Sequence, residues 1–349
     1  MTVDLVVLSS SPMKGDKPFG AQTNYFRDLS ACACERGLTL AVADASEAKR
    51  ERGKWKFPLF DVDGRSRGHG SGWVYYDRVS DVHRWQTDEK SRLVLEDEAP
   101  VFNSWNSLSF SQDKYSVYEK LSRHSEICVP TTVAISGLVD GPELVDRLAD
   151  TVILKPRIGT KGRGVQSVRR CGASFLIGEE RFTVDGMVQR YPQYILQDDI
   201  FATHGGLAEM RTLVQAVAGP PQAVGSFVKV LTAPGPGNLS QTCRATALDE
   251  TEIGMEHRRE SVERAALTAL SVLSASVGPG LFETGVDQIV SEDGRVWLLE
   301  INGRPARFGF QLIARYSKKK VNRDQYAMIR HAAVDNVVAH AQELSRSAL

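Results

Sequence analysis

The chain has 349 residues, and Lys+Arg and Asp+Glu both total 43, so its formal net charge is zero. That balance excludes a global field drawing it to nucleic acid or to an anionic membrane. With 42% hydrophobic and 25% charged residues the composition is that of a globular protein, long enough for two or three compact units. The five cysteines, at 32, 34, 128, 171 and 243, form no metal-ligand spacing, and free thiols in a reducing cytoplasm are the simplest reading. No 18-residue apolar stretch occurs, and the run Val3–Leu8 lacks the regions of a signal peptide, so no membrane segment is expected.

In chain order, Leu5–Ser9 reads as a strand, Gln22–Arg36 as a helix and Thr39–Ala43 as a second strand. That is the βαβ opening of a parallel sheet. From Glu51 to Glu98 the chain is charged and dotted with glycine, with Trp55, Trp73 and Trp85 scattered through it, and periodicity assigns no elements. Ser111-Gln112-Asp113 supplies cap chemistry for a helix through Leu121. Lys114, in its first turn, opposes the helix dipole unless it has a negative partner, for which Asp113 is the nearest candidate. Strand-rich sequence follows from about Val152 to Val230. Val262, Ala266, Leu270 and Leu273 mark a helix over Glu260–Val277, stopped by Gly278-Pro279-Gly280. Strands Gly285–Val290 and Arg295–Ile301 come next, then a helix over Arg323–Leu344 with Tyr326, Ile329, Ala333 and Val337 on one face. The fold class is α+β with an α/β front end.

Two segments carry chemistry. In Val152–Val165, three apolar residues lead to Lys155-Pro156, and Pro156 biases Lys155 toward extended geometry. Gly159, Gly162 and Gly164 then allow close backbone approach to an anion, with Lys161 and Arg163 adding charge. Val165–Val168 reads as a strand, so the loop is a hairpin tip, not the strand-loop-helix that Walker A and Rossmann loops need. A basic surface hairpin and a flap over a triphosphate both remain open. Tyr194–Ile200 is a strand ending in polar residues, whose backbone can serve an adenine edge or nothing at all.

The second segment is Gly285–Pro305. Asp293-Gly294 is a two-residue hairpin signal, and counting back from it sets Asp287 opposite Glu300, or diagonal to it on the same face with a four-residue loop, with Asn302 sharing that face. Facing carboxylates repel. A divalent cation removes that penalty, and oxygen ligands suit Mg²⁺. A solvated acidic strand face is the alternative.

The order Lys155-Pro156-x-x-Gly159-x-x-Gly162-x-Gly164, Gln197-Asp198-Asp199-Ile200, an arginine-bearing strand, then Asp287 and Glu300-x-Asn302 resembles an ATP-grasp domain. Tyr76-Asp77-Arg78, Val101-Phe102-Asn103, Lys114, Leu299–Asn302 and Arg304-Pro305 are similar to the YheC/YheD-type branch. The resemblance implies an ATP-grasp fold behind an N-terminal α/β pre-ATP-grasp domain. Its parts would be 1–105, a central lid subdomain 106–195, and a C-terminal subdomain 196–349 with the metal site. It implies that Lys114, Lys155, Gly159, Lys161, Gly162 and Gly164 hold ATP phosphates. Gln197, Asp198 and Ile200 would line the adenine pocket, and Asp287, Glu300 and Asn302 would hold Mg²⁺. Arg211, Lys229, Asn238 and Arg304 would serve the reacting groups. Glu209 stands where an aspartate is usual, Lys229 where an arginine is common, and Thr242-Cys243-Arg244 where glycines are expected.

The implied activity is ATP-dependent ligation of a carboxylate to an amine through an acylphosphate, in the cytoplasm. The substrates would be small molecules such as amino acids or short peptides, without nucleic acid or membrane partners, and a homodimer stays open. An ATP-binding structural or spore-associated protein and a small-molecule kinase are the rival readings. No Ser/His/Asp or Cys/His constellation supports a hydrolase.

Overall fold

The computed structural model describes the chain apart from residues 10–11, 80–88, 139–140, 160–161, 218, 232–242, 252–253, 278–280 and 348–349. Lys161, Asn238, Thr242, Trp85 and the expected helix stop at 278–280 therefore lie outside the described residues.

The expected βαβ opening forms from β1 (Thr2–Ser9), α1 (Thr23–Glu35) and β2 (Leu40–Asp44), with Leu5 beside Leu40 in parallel register. The segment that periodicity left unassigned contains β3 (Lys49–Glu51), β4 (Lys54–Phe60), β5 (Ser66–Asp77) and α2 (Glu89–Glu98), followed by β6 (Val101–Phe102). These strands make a six-stranded sheet, β3-β4-β2-β1-β5-β6, parallel from β2 through β6. β1 is covered on both faces. Leu5 and Val7 pack toward α1, while Val6 and Leu8 pack toward Trp55, Phe57 and Leu59. Such two-sided burial explains why β1 reads as a continuous apolar run.

Two short helices follow, α3 (Trp105–Gln112) and α4 (Lys114–Leu121). The Asp113 side chain caps α4 by accepting from the backbone of Tyr115 and Ser116. A second sheet is antiparallel throughout, in the order β11-β10-β9-β8-β12-β7. Its strands are β7 (Thr132–Ala134), β8 (Thr151–Pro156), β9 (Gln166–Cys171), β10 (Ser174–Ile177), β11 (Glu180–Thr183) and β12 (Tyr194–Asp198), with α5 (Val184–Arg190) before β12. The glycine loop connects antiparallel β8 and β9, as the sequence suggested.

After α6 (Ile200–Thr203) come β13 (Gly206–Gln215), β14 (Gln222–Leu231), β15 (Cys243–Thr246), α7 (Arg259–Val277), β16 (Glu283–Ser291) and β17 (Val296–Asn302). The third sheet runs β15-β14-β13-β16-β17, all antiparallel. The β16–β17 turn corrects the expected two-residue hairpin. Val290 pairs with Val296, and Ser291 accepts from Gly294 while donating to Arg295, so three residues form the loop. Only Gly294 in that loop has a positive φ, +83°, whereas a type I′ turn needs two such residues. A bulge between Asp287 and Gln288 then shifts the register back by one, and Asp287 does face Glu300.

The chain closes with α8 (Phe308–Tyr316) and the long α9 (Lys320–Ser347). Tyr326 and Ala333 of α9 pack with α8 on the third sheet, while Val334, Val337, Val338 and Ala341 enter the core beside α1 and the first sheet. One helix thus joins two cores. Among the described residues no helix is long and apolar enough to cross a membrane.

Candidate functional site

Strand alternation and register build a charged row across the third sheet. Glu209 and Arg211 of β13 share a face. Lys229 of β14 lies opposite Glu209, Asp287 of β16 opposite Arg211, and Glu300 of β17 opposite Asp287. Arg211 grips Asp287 in a fork, with Nε donating to Oδ1 at 2.7 Å and Nη2 to Oδ2 at 2.5 Å. Lys229 Nζ lies 2.5 Å from Glu209 Oε1 and 2.9 Å from Asp287 Oδ1. Asn302 Nδ2 donates to Glu300 Oε1 at 3.0 Å and reaches Asp287 Oδ2 at 3.4 Å.

The second sheet and α4 supply the facing cations. Lys155 Nζ donates to Gln197 Oε1 at 2.7 Å, and Gln197 Nε2 donates to Thr132 Oγ1 at 3.0 Å. Lys114 Nζ donates to the Gly159 carbonyl at 2.8 Å and stands 3.9 Å from Glu300. This corrects the expected pairing of Lys114 with Asp113. Asp113 is occupied as the cap of α4 and by a fork from Arg157 at 2.7 and 2.6 Å, so Lys114 is left to point elsewhere.

Burial dominates the electrostatics and is resolved differently at each group. It pulls the Lys155 ammonium down to about 8, although Glu300 pulls the other way. Burial also works to raise Asp287, but Arg211 and then Lys229 outweigh it and hold that carboxyl well below the usual range. Glu209 goes up, because desolvation exceeds the attraction of Lys229.

Of the anticipated residues, Lys114, Lys155, Gln197, Arg211, Lys229, Asp287, Glu300 and Asn302 are gathered here, with Gly159 held by Lys114. Gly162 and Gly164 have φ of +66° and +74°, and a Cβ on Gly164 would meet the Tyr194 hydroxyl at 2.9 Å. Asp198 and Ile200 have side chains committed elsewhere. Asp198 accepts from the Ala149 amide at 2.9 Å, and Ile200 packs with Ile289 and Trp297. Arg304 does not join the row but pairs with Asp77 at 2.9 Å, where the first and third sheets meet. The seam also holds Arg307, Arg78, Tyr76 and Glu283, none of which motif spacing assigned a role. Tyr76-Asp77-Arg78 belongs to the family resemblance with no role attached, and the second arginine three residues after Arg304 is a further signal that could have found the seam.

As a metal centre the row is modest. No group of three His, Cys, Asp or Glu gathers among the described residues. The two carboxylates are oxygen donors that fit Mg²⁺, which takes its remaining ligands from water and phosphate, while Asn302 turns its Nδ2 toward them and would offer its Oδ1 only with the amide reversed. The penalty of the facing carboxylates, which a divalent cation would remove, is already met at Asp287 by Arg211 and Lys229.

The family model described as YheC/D like ATP-grasp matches residues 237–332, which include β16, β17 and the Glu300-x-Asn302 end of the row. Over those residues the chain is similar to the YheC/D-like branch of the ATP-grasp proteins. It is 24% identical over 217 residues to the tetrahydromethanopterin:alpha-L-glutamate ligase of Methanocaldococcus jannaschii, covering 62% of this chain and 66% of that protein. It is 27% identical over 220 residues to the endospore coat-associated protein YheC of Bacillus subtilis, covering 56% of this chain and 60% of that one. The chain thus spans less than two thirds of either relative. Among solved structures, the VanG D-Ala:D-Ser ligase from Enterococcus faecalis aligns over 98% of this chain and 99% of its own, with a TM-score of 0.60 at 12% identity. At that identity the likeness concerns the ATP-grasp fold alone.

Proposed function

We propose that this ATP-grasp chain is an ATP-dependent ligase that joins a carboxylate to an amine through an acylphosphate. The observation that carries the reading is the row Arg211–Asp287–Glu300–Asn302, which lies within electrostatic reach of two lysines, Lys155 and Lys114, from separate elements. An acidic oxygen pole set against a cationic pole suits a polyphosphate bridged by Mg²⁺.

In this reading Lys155, Lys114 and the glycine hairpin bind the ATP phosphates, and Gln197 aims Lys155. The backbone of 197–200 receives the adenine edge, since Asp198 and Ile200 have other uses for their side chains. Asp287, Glu300 and Asn302 hold Mg²⁺, which when bound neutralises phosphate oxygens and orients the transferred group. A substrate carboxylate oxygen bonds to the γ-phosphorus as the bridging P–O bond to ADP breaks. The amine then attacks the acyl carbon, loses a proton, and expels phosphate. Arg211 and Lys229 offer fixed positive charge to the anion that builds up, with Arg304 on the substrate side. Such catalysis is positioning and charge stabilisation and needs no covalent nucleophile. An amino acid or short peptide as substrate is supported by the glutamate ligase among the relatives.

The test is thermal unfolding with Mg-ATP in the wild type and in Glu300→Ala, which leaves the Asp287 ion pairs intact. A ligand at about a hundred times its dissociation constant adds about 2.7 kcal/mol of stability. The wild type is expected to gain it only with magnesium present, and the variant to lose most of it. ADP release that requires an added amine would separate a ligase from a kinase. A folded wild type indifferent to Mg-ATP would overturn the enzyme reading.

A further inference from the structure

Glu283 opens β16 on the same face as Gly285 and Asp287, because side chains alternate along the strand. Four residues of strand separate Glu283 from Asp287, about 13 Å. Between them Gly285 is covered by its neighbours, since a Cβ there would stand 3.0 Å from Pro305 and 3.6 Å from Arg211, so the seam loop and the row pack against each other at this point. The charged row is thus continuous with the seam of the first sheet.

Glu283 is fully buried there and holds two guanidiniums. Arg78 Nη1 donates to Oε1 at 3.1 Å, Arg307 Nη2 donates to Oε2, and the Tyr76 hydroxyl and Gln215 also bond the carboxylate. Beside them Arg304 pairs with Asp77, so three arginines face two carboxylates. Arg307 is more than nine-tenths buried, yet its Nε and Nη1, and Nε of Arg304, have no hydrogen-bond partner among the described residues. Its guanidinium stacks on Tyr25, with Cζ 4.3 Å from the ring centroid. Burial pulls it down to about 9. Buried donors without acceptors are costly and call for an explanation. Arg307 is also the cap residue of α8, which has no side-chain cap bond, so the first N–H groups of that helix lack an internal acceptor. Arg78 follows directly on β5, at the carboxyl end of a parallel strand, where open α/β sheets receive ligands.

We propose that this seam binds a second, non-reacting carboxylate of the substrate through Arg307 and Arg304, so that the substrate is an amino acid or a peptide end. The inference rests on the ligase reading for the site it deepens. The excess guanidinium and the orphaned donors define an anion subsite, and β16 carries both its Glu283 and the Asp287 of the charged row.

The test measures thermal unfolding of the full chain with a non-hydrolysable ATP analogue and magnesium, adding amino acids and dipeptides or their carboxamides. Acids are expected to raise the melting temperature beyond the nucleotide effect, and the matching amides not to. In Arg307→Gln the apparent affinity for the acids is expected to fall about ten- to hundredfold while the nucleotide shift persists. Arg307→Lys keeps the charge without the fork, serves if the glutamine variant unfolds, and is expected to show an intermediate loss. Equal shifts from acids and amides, no shift from any acid, or full retention of the difference in both variants overturns the proposal. Absence of a nucleotide shift in the wild type, with its acid shift present, would instead overturn the ligase reading and leave the anion subsite standing.

Discussion

Lys155 is enclosed, and among the described residues its ammonium has no carboxylate in direct contact and donates to the Gln197 amide oxygen at 2.7 Å. Its pKa falls from 10.5 in the unfolded chain to about 8 in the fold. Between those values the unfolded state binds the extra proton, so stability rises with pH across that window, and at neutral pH the buried charge costs about 3 kcal/mol. A triphosphate beside it would raise the pKa again, so nucleotide binding above about pH 8 takes up a proton and weakens as pH rises. Titration calorimetry from about pH 7 to about pH 9.5 should show affinity falling by up to about tenfold per unit at the alkaline end. Lys155→Arg, which stays protonated, should flatten that slope. A flat wild-type profile would count against Lys155 as a phosphate ligand. The importance of Lys155 was legible from Lys155-Pro156 and the glycines. Its solution to burial was not, because Gln197 arrives from a strand forty-two positions later.

At the scale of elements, strong periodicity was readable and mixed signals were not. The helix 259–277 and the two strands after it follow their apolar spacing closely. β4 also alternates, with Trp55, Phe57 and Leu59 buried, but Pro58 within it and the glycines of β5 mask the pattern. The β16–β17 hairpin shows how a local misreading can leave a long-range result intact. The turn is one residue longer than its Asp-Gly signal suggested, and the bulge beyond it restores the pairing of Asp287 with Glu300. Close packing of α8 gives a prediction at this scale. A Cβ on Gly309 would collide with the Phe227 ring of β14. Gly309→Ala should therefore cost about 1–3 kcal/mol by overpacking, in spite of alanine's better helix propensity. A lowered urea midpoint is the readout, and an unchanged one would mean that α8 can shift.

Across the whole molecule, Glu283 and α9 hold the first sheet to the third. Glu283 lies in β16, while its partners come from β5, from β13 and from the start of α8. Glu283→Gln leaves the buried Arg78 and Arg307 without their direct carboxylate partner, with Asp77 already paired to Arg304, and such breakage typically costs about 3–5 kcal/mol. The expected result is a large drop in denaturant midpoint. A drop no larger than that of a surface substitution would show that the seam relaxes without it. Arg36 of α1 forks onto Asp335 of α9 at 2.8 and 2.7 Å, a second tie across the same boundary.

By itself the sequence determined the elements with clean periods, the glycine hairpin, and the placing of Asp287 and Glu300 on two strands of one hairpin. Each depends on spacing within about forty residues, where chain geometry alone sets which side chains share a face. The bulge that sets those two carboxylates opposite each other was decided by the fold. The tertiary structure decided which charges satisfy one another. Arg211 and Lys229 reach Asp287 because β13 and β14 lie beside β16, and Lys114 turns to Gly159 because Arg157 already occupies Asp113. It also decided that α9 serves two cores and that three arginines meet two carboxylates at the seam. Desolvation makes such pairings compulsory, and no local pattern encodes them, because the partners come from strands and helices far apart in the chain.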